Sequence, residues 1–266
     1  MFDSLAAKGF HVEFLSHAQA ILSVDFPEAL AELEDALAGT TIPIEEIIAG
    51  GGGEAKGTQR LRKALTAKGW VKTTFVVEKR INGIPKESQS HEVDHVRTFE
   101  DGTRVALEIE WNNKDPFYDR DLENYKRLHA DGAISVGIIV TRGKSLHENM
   151  RELVKRFVDE HRLEKLDDLR EWGYDPTSKQ RNAITKQITR KKDPLSFPDA
   201  FTNKFVADKF GEATTHWRKL VDRVHRGVGN PCPLLLIGLP DSIVTFHEGK
   251  RALAEVQSDD LSDETI

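Results

Sequence analysis

The sequence predicts an α/β fold: a central mixed β-sheet with helices covering both sides. Three observations point there. The elements run helix, strand, acidic hairpin, helix, buried strand. Residues 133–141 (AISVGIIVT) and 233–239 are short continuous apolar runs, the pattern of strands buried on both faces. Between and around them, residues 118–130 and 145–163 repeat apolar positions at helical spacing.

Taken in order, residues 3–22 show helical spacing through Leu5, Phe10, Phe14, Leu15, Ile21 and Leu22. A second helix starts near Asp25 with Pro27 in its first turn and ends before Gly39. Residues 42–48 are short and apolar, and Gly50 to Gly53 then break the chain. No Gly-Lys-Ser/Thr follows these glycines, so they read as a flexible loop near the site rather than a P-loop. Residues 54–68 form a helix closed by Gly69, residues 72–79 alternate as a strand, and Asn82-Gly83 is a strong turn signal. The helix over 118–130 places Leu122, Tyr125 and Leu128 on one face and is closed by Asp131-Gly132. Residues 164–200 read as loop-rich and basic, and 201–226 as helical. The expectation is one domain over 1–266: a helical part (1–50), a core carrying the site (51–143), a C-terminal part (144–240) with further contact and sheet-completing segments, and an acidic tail (241–266).

The chemistry concentrates in residues 91–114. Residues 91–99 are β-rich, and 103–111 alternate, with Val105, Leu107, Ile109 and Trp111 on one side and Ala106, Glu108 and Glu110 on the other. A three-residue loop, Glu100-Asp101-Gly102, sets Phe99 against Thr103 and therefore Asp94 against Glu108, with Glu110 two residues further on the same face. A two-residue Asp-Gly loop would slip the register by one and turn Asp94 away. The first register is favoured because it also places Phe99 and Val93 with Val105, Leu107 and Ile109. Three adjacent carboxylates repel one another, and a hard cation such as Mg²⁺ relieves that with oxygen ligands. The other reading is a solvated polar face on an exposed hairpin. The letters His91-Glu92-Val93-Asp94-His95 also spell the H-E-x-x-H zinc peptidase motif, which needs a helix. Ser, Val and Thr between Gly83 and Gly102 disfavour one. On a strand the two His would stand roughly 13 Å apart, too far for one zinc.

Composition sets bounds. The chain has 266 residues, 38% hydrophobic and 31% charged, with a net charge of −6. It has no apolar run of membrane-spanning length and no secretory leader pattern. The single Cys232 excludes an intramolecular disulfide framework and suits a reducing cytoplasm; between Pro231 and Pro233 it reads as a small buried hydrophobe. Charge is uneven: residues 1–50 hold one Lys against nine acids, whereas 176–230 hold twelve Lys or Arg against five acids. A basic segment in an acidic chain can still present a phosphate-binding surface.

The ordered blocks Val93-Asp94, Leu107-Glu108-Ile109-Glu110-Trp111-Asn112-Asn113, Pro116-Phe117 and Gly137 to Gly143 resemble the PD-(D/E)XK nuclease core. More closely, they resemble the BglII/BstYI family of type II restriction endonucleases. Residues 57–70 and 230–238 extend the resemblance over roughly 50–240. It implies Mg²⁺-dependent double-strand cleavage of DNA at a palindrome with central GATC, by a homodimer, with no organic cofactor. Carried over by position, Asp94, Glu108 and the Ile109 carbonyl would hold the metal, and Glu110 would orient or deprotonate the attacking water. Asn113 would contact a base or phosphate, Lys114 would neutralise a phosphate, and Glu54 is an accessory acid. Glu110 departs from the pattern, which has Lys in the superfamily and Gln in this branch, so a silent DNA-binding protein on the same scaffold is the alternative. The hairpin is also longer than the shortest family examples. Lys179, Arg181 and Asn182, and the run 214–218, offer groups suited to base edges. The helix over 118–130 is a candidate dimer contact.

Overall fold

A computed structural model describes residues 2–49 and 54–247. Gly50 to Gly53 and most of the acidic tail lie outside the described residues. In chain order the elements begin α1 (Asp3–Ala7), β1 (His11–Leu15), α2 (Ala18–Val24), α3 (Pro27–Ala38), β2 (Ile42–Pro43), α4 (Ile44–Ile48) and α5 (Lys56–Thr66). Then follow β3 (Val71–Ile81), β4 (Ile84–Thr98), β5 (Arg104–Glu110), α6 (Phe117–Ala130), β6 (Val136–Arg142) and α7 (Lys144–Glu160). A 3-10 helix (Leu166–Trp172) precedes α8 (Ser178–Thr189), α9 (Phe197–Lys209), α10 (Trp217–His225), β7 (Leu234–Leu239) and β8 (Val244–Thr245). No helix among the described residues is long and apolar enough to cross a membrane.

Six strands form one mixed sheet in the order β1-β7-β6-β5-β4-β3, flanked by helices. β5, β6 and β7 run parallel at its centre, and the hairpins and β1 are antiparallel. Parallel neighbours need a crossover, and α6 supplies the one between β5 and β6. β6 and β7 are buried along their whole length, as their unbroken apolar runs require. The sheet belongs to a compact unit made of Thr58–His147, Glu212–Asp241 and the N-terminal stretch through Thr40. A second unit takes Thr41–Gly57, Glu148–Gly211 and the residues from Ser242. There β2 pairs parallel with β8, and Tyr174 packs edge-on against Phe201 and Phe205.

α6 lies against the sheet through Tyr118, Leu122, Tyr125 and Leu128, all fully buried, each contributing roughly 1.5–3 kcal/mol. Its approach is close. A Cβ at Gly137 of β6 would stand 2.3 Å from Tyr125 Cδ2, while the Tyr125 hydroxyl donates to the Ile138 carbonyl at 2.8 Å. Gly137 therefore fixes how near α6 comes to β6.

Several expectations are corrected. Residues 3–22 are not one helix. Gly9 at φ +89°, and Ser16 and His17 in the left-handed region, frame β1, which pairs antiparallel with β7 at the sheet edge. Edge pairing overrides a helical period there. Residues 164–200 are not loop-rich: Thr177 and Gln180 form a capping box that starts α8. The helical stretch 201–226 is two helices, interrupted between Lys209 and Trp217.

Candidate active site

The hairpin joining β4 and β5 closes as the sequence predicts. The Phe99 N–H donates to the Thr103 carbonyl at 3.0 Å, and Gly102 sits at φ +84° with its N–H on the Phe99 carbonyl. The ladder then runs Thr98↔Arg104, Arg97↔Val105, Val96↔Ala106 and His95↔Leu107. Asp94 is the next residue, and its backbone N–H points to Glu108 Oε1 at 3.4 Å.

Val93 faces otherwise than the sequence predicts. β3 pairs Val71 with Val96 but Thr73 with Val93, so Asp94 and His95 together face the single residue Lys72. This bulge reverses the alternation, and Val93 joins Val96 and Ala106 in the apolar cluster with Tyr118 and Tyr125. It does not lie with Leu107 and Ile109. His91 and His95 are on an extended strand, so the helical zinc-peptidase geometry is absent.

Glu108 and Glu110 are 6% and 3% exposed. The sequence reading missed their closest acidic neighbour, Asp121 of α6, itself 2% exposed. Its signal was a carboxylate at a core position of an amphipathic helix, on the stripe of Tyr118, Leu122 and Tyr125. Asp121 Oδ1 accepts from Arg120 Nε at 2.8 Å, and the Asp121 carboxyl lies within hydrogen-bond reach of the Glu110 carboxyl, a contact that needs one of the two protonated. The Glu110 carboxylate accepts from Asn113 Nδ2 at 2.9 Å, and Arg120 stands 3.8 Å from its other oxygen. Thr141 Oγ1 donates to the Glu110 carbonyl at 2.7 Å, anchoring the end of β5 to β6.

Asp94 is the exposed member of this group. Its side chain is 56% exposed and lies 3.7 Å from Lys72, which also pairs with Glu92 at 2.6 Å. No three of these carboxylates bring oxygens within 4.8 Å of one another. Burial, and then the Asp121 and Asp94 charges, push Glu108 well above the usual carboxylate range. Burial and the Asp121 charge push Glu110 up to about 8. Asp121 is raised by burial, against the pull of Arg120.

The remaining predicted residues are spread out. Ile109 lies between the two glutamates on β5. Asn113 and Lys114 are exposed in the loop after β5, which Arg142 supports. That fully buried guanidinium donates to the Trp111 carbonyl, Thr214 Oγ1 and the Thr215 carbonyl at 2.6–2.7 Å. Lys179, Arg181 and Asn182 are not on a loop but on the first turns of α8 in the second unit, with Arg181 3.3 Å from Asp167. Glu54 is exposed in a bend before α5. Cys232 is buried, its thiol pushed up to about 12 by that burial, which suits a packing role.

A mixed sheet whose parallel centre ends in buried acids beneath a crossover helix defines the PD-(D/E)XK-like nuclease class. The chain matches the family Restriction endonuclease BglII/BglIII over residues 10–239 and belongs to it. Membership makes it a site-specific deoxyribonuclease by class and implies that it binds DNA. A search of curated proteins finds no match.

Proposed function

We propose that the protein is a type II restriction endonuclease that cuts both strands of a palindromic DNA site, of six bases with central GATC, through Asp94, Glu108 and Glu110. The observation that carries this is the burial of Glu108 and Glu110 beside Asp121. Buried carboxylates so close together call for a cation or protons. An oxygen-only donor set fits a hard divalent ion, and Mg²⁺ is the family's usual choice. Asp94, Glu108 and the Ile109 carbonyl would hold it, and bound there it would supply charge stabilisation at the scissile phosphate and a more acidic water. Glu110, held by Asn113, orients the attacking water and accepts its proton in its charged form, which a bound cation would favour. Asn113 holds Glu110 in place, and its exposed loop, with Lys114, faces the substrate backbone or a base. Lys179, Arg181 and Asn182 contribute further DNA contacts from α8. Glu54 is retained as an accessory acid. A palindrome cut on both strands matches a two-fold homodimer.

The test is digestion of phage DNA with Mg²⁺ by wild type and Glu108→Ala. Discrete fragments from wild type, and none from the variant, are expected. Intact DNA with a gel shift from the wild type would establish instead the silent DNA-binding alternative. A cutting Glu108→Ala would remove the assigned site.

A further inference from the structure

Outside the acidic site, His147, Glu212 and His216 form the one group of three or more potential ligands, among the described residues, whose donor atoms lie within 4.8 Å of one another. We propose that these three side chains bind a zinc-class divalent ion that braces the loop after β5. All three belong to the sheet-bearing unit. His147 is in the first turn of α7, His216 is the N-cap of α10, and Glu212 lies in the segment between α9 and α10.

The geometry is that of ligands already gathered. His147 Nε2 is 3.5 Å from Glu212 Oε1, and His216 Nε2 is 3.8 Å from Glu212 Oε2. A tetrahedral zinc with bonds of about 2.0–2.2 Å separates neighbouring ligand atoms by roughly 3.3 Å, so closure draws the donor atoms, now within 4.8 Å of one another, inward by up to about 1.5 Å. The two imidazoles stack at 3.7 Å with planes 3° apart, so presenting an in-plane nitrogen of each to one ion requires the rings to turn out of this stack.

The independent observation is His216 itself. Its side chain is 1% exposed, yet neither ring nitrogen has a hydrogen-bond partner. A buried imidazole ordinarily spends at least one nitrogen on a protein partner. Burial also removes His216 from the base-reading role that its position in the run 214–218 suggested. Glu212 is 63% exposed, which leaves an entry path and an open fourth position for water.

Donor type selects the ion: two imidazoles and one carboxylate suit zinc, whereas Mg²⁺ takes oxygen. Two cations oppose binding. Arg142 Nη1 is 3.5 Å from His147 Nδ1, but this guanidinium makes its short bonds elsewhere, to Trp111, Thr214 and Thr215. Arg218 pairs with Glu212 but is 65% exposed, so solvent screens it.

An ion here would tie the start of α7 to the segment before α10. That segment is zipped to the loop bearing Asn113 and Lys114, through the Thr215 N–H on the Asn113 carbonyl and the Asp115 N–H on the Ala213 carbonyl. The ion would thereby stiffen the chain just beyond Glu110. This role does not depend on the nuclease assignment.

The test uses the full chain, stripped with chelator, loaded with Zn²⁺ or Co²⁺ and passed through gel filtration. About one ion per chain should remain, with cobalt showing the visible bands of tetrahedral coordination. His216→Phe keeps a stacked ring but has no nitrogen, and it should lose the ion with an unchanged circular dichroism spectrum. His147→Ala, at a more exposed position, should lose it too. Glu108→Ala should keep it, which separates this site from the acidic one. A wild type that retains no stoichiometric metal, or histidine variants that retain it, would overturn the proposal.

Discussion

Glu110 is nearly fully buried, and its surroundings govern its protonation. It is buried beside Asp121, so both gain protons more readily than a free acid. A carboxyl whose folded pKa exceeds its unfolded value favours the fold at low pH. That contribution is lost as pH rises from the ordinary carboxylate range through the raised value, about 8 for Glu110. In chelator the melting temperature should therefore fall between about pH 5 and about pH 8, and Glu110→Gln should flatten the profile. A wild-type profile already flat over that range would contradict the burial argument. Mg²⁺ should restore the lost stability at the upper end, because ligand binding to the fold is linked to its stability.

At the scale of elements, two glycines separate conformational from packing effects. Gly102 has φ +84° and nothing within 4 Å of a built Cβ, so Gly102→Ala costs only the left-handed conformation, about 1–2 kcal/mol. Gly137→Ala instead drives a Cβ into Tyr125 and should cost on the order of 1–3 kcal/mol. It also moves α6, and Asp121 with it, from β5. Urea titrations should show both losses, but only Gly137→Ala should reduce cleavage under conditions where the protein is fully folded. The turn over 100–102 was legible because a Gly in the left-handed region closes a three-residue hairpin loop, and the ladder has the register it implies. The bulge at Asp94 and His95 was not, since it depends on which residue of β3 lies opposite. Asp121 and the start of α8 were legible in principle: one as a charge on a core stripe, the other as Thr177 and Gln180 in capping positions. Both signals lie in helix phase rather than in charge pattern. The interruption at β1 follows from pairing with a strand more than two hundred residues away, which local periodicity does not register.

For the molecule as a whole, a net charge of −6 places a nucleic-acid ligand on local basic surface rather than in a global field. Lys179 is exposed on α8, so Lys179→Ala should lower the slope of log binding constant against log salt by about 0.9, a loss read by titration at several salt concentrations. An unchanged slope would remove Lys179 from the contact surface. The sheet has a further property that bears on handling rather than catalysis. β3 forms its outer edge, eleven residues long, with Val71, Val76 and Ile81 exposed. An uncovered edge of that length is a template for strand addition and aggregation. Lys72, Glu78, Lys79 and Arg80 punctuate it with charge. Solubility at high concentration thus rests on a few side chains remote in purpose from the acids, and neutral substitutions along β3 should precipitate the protein before they unfold it.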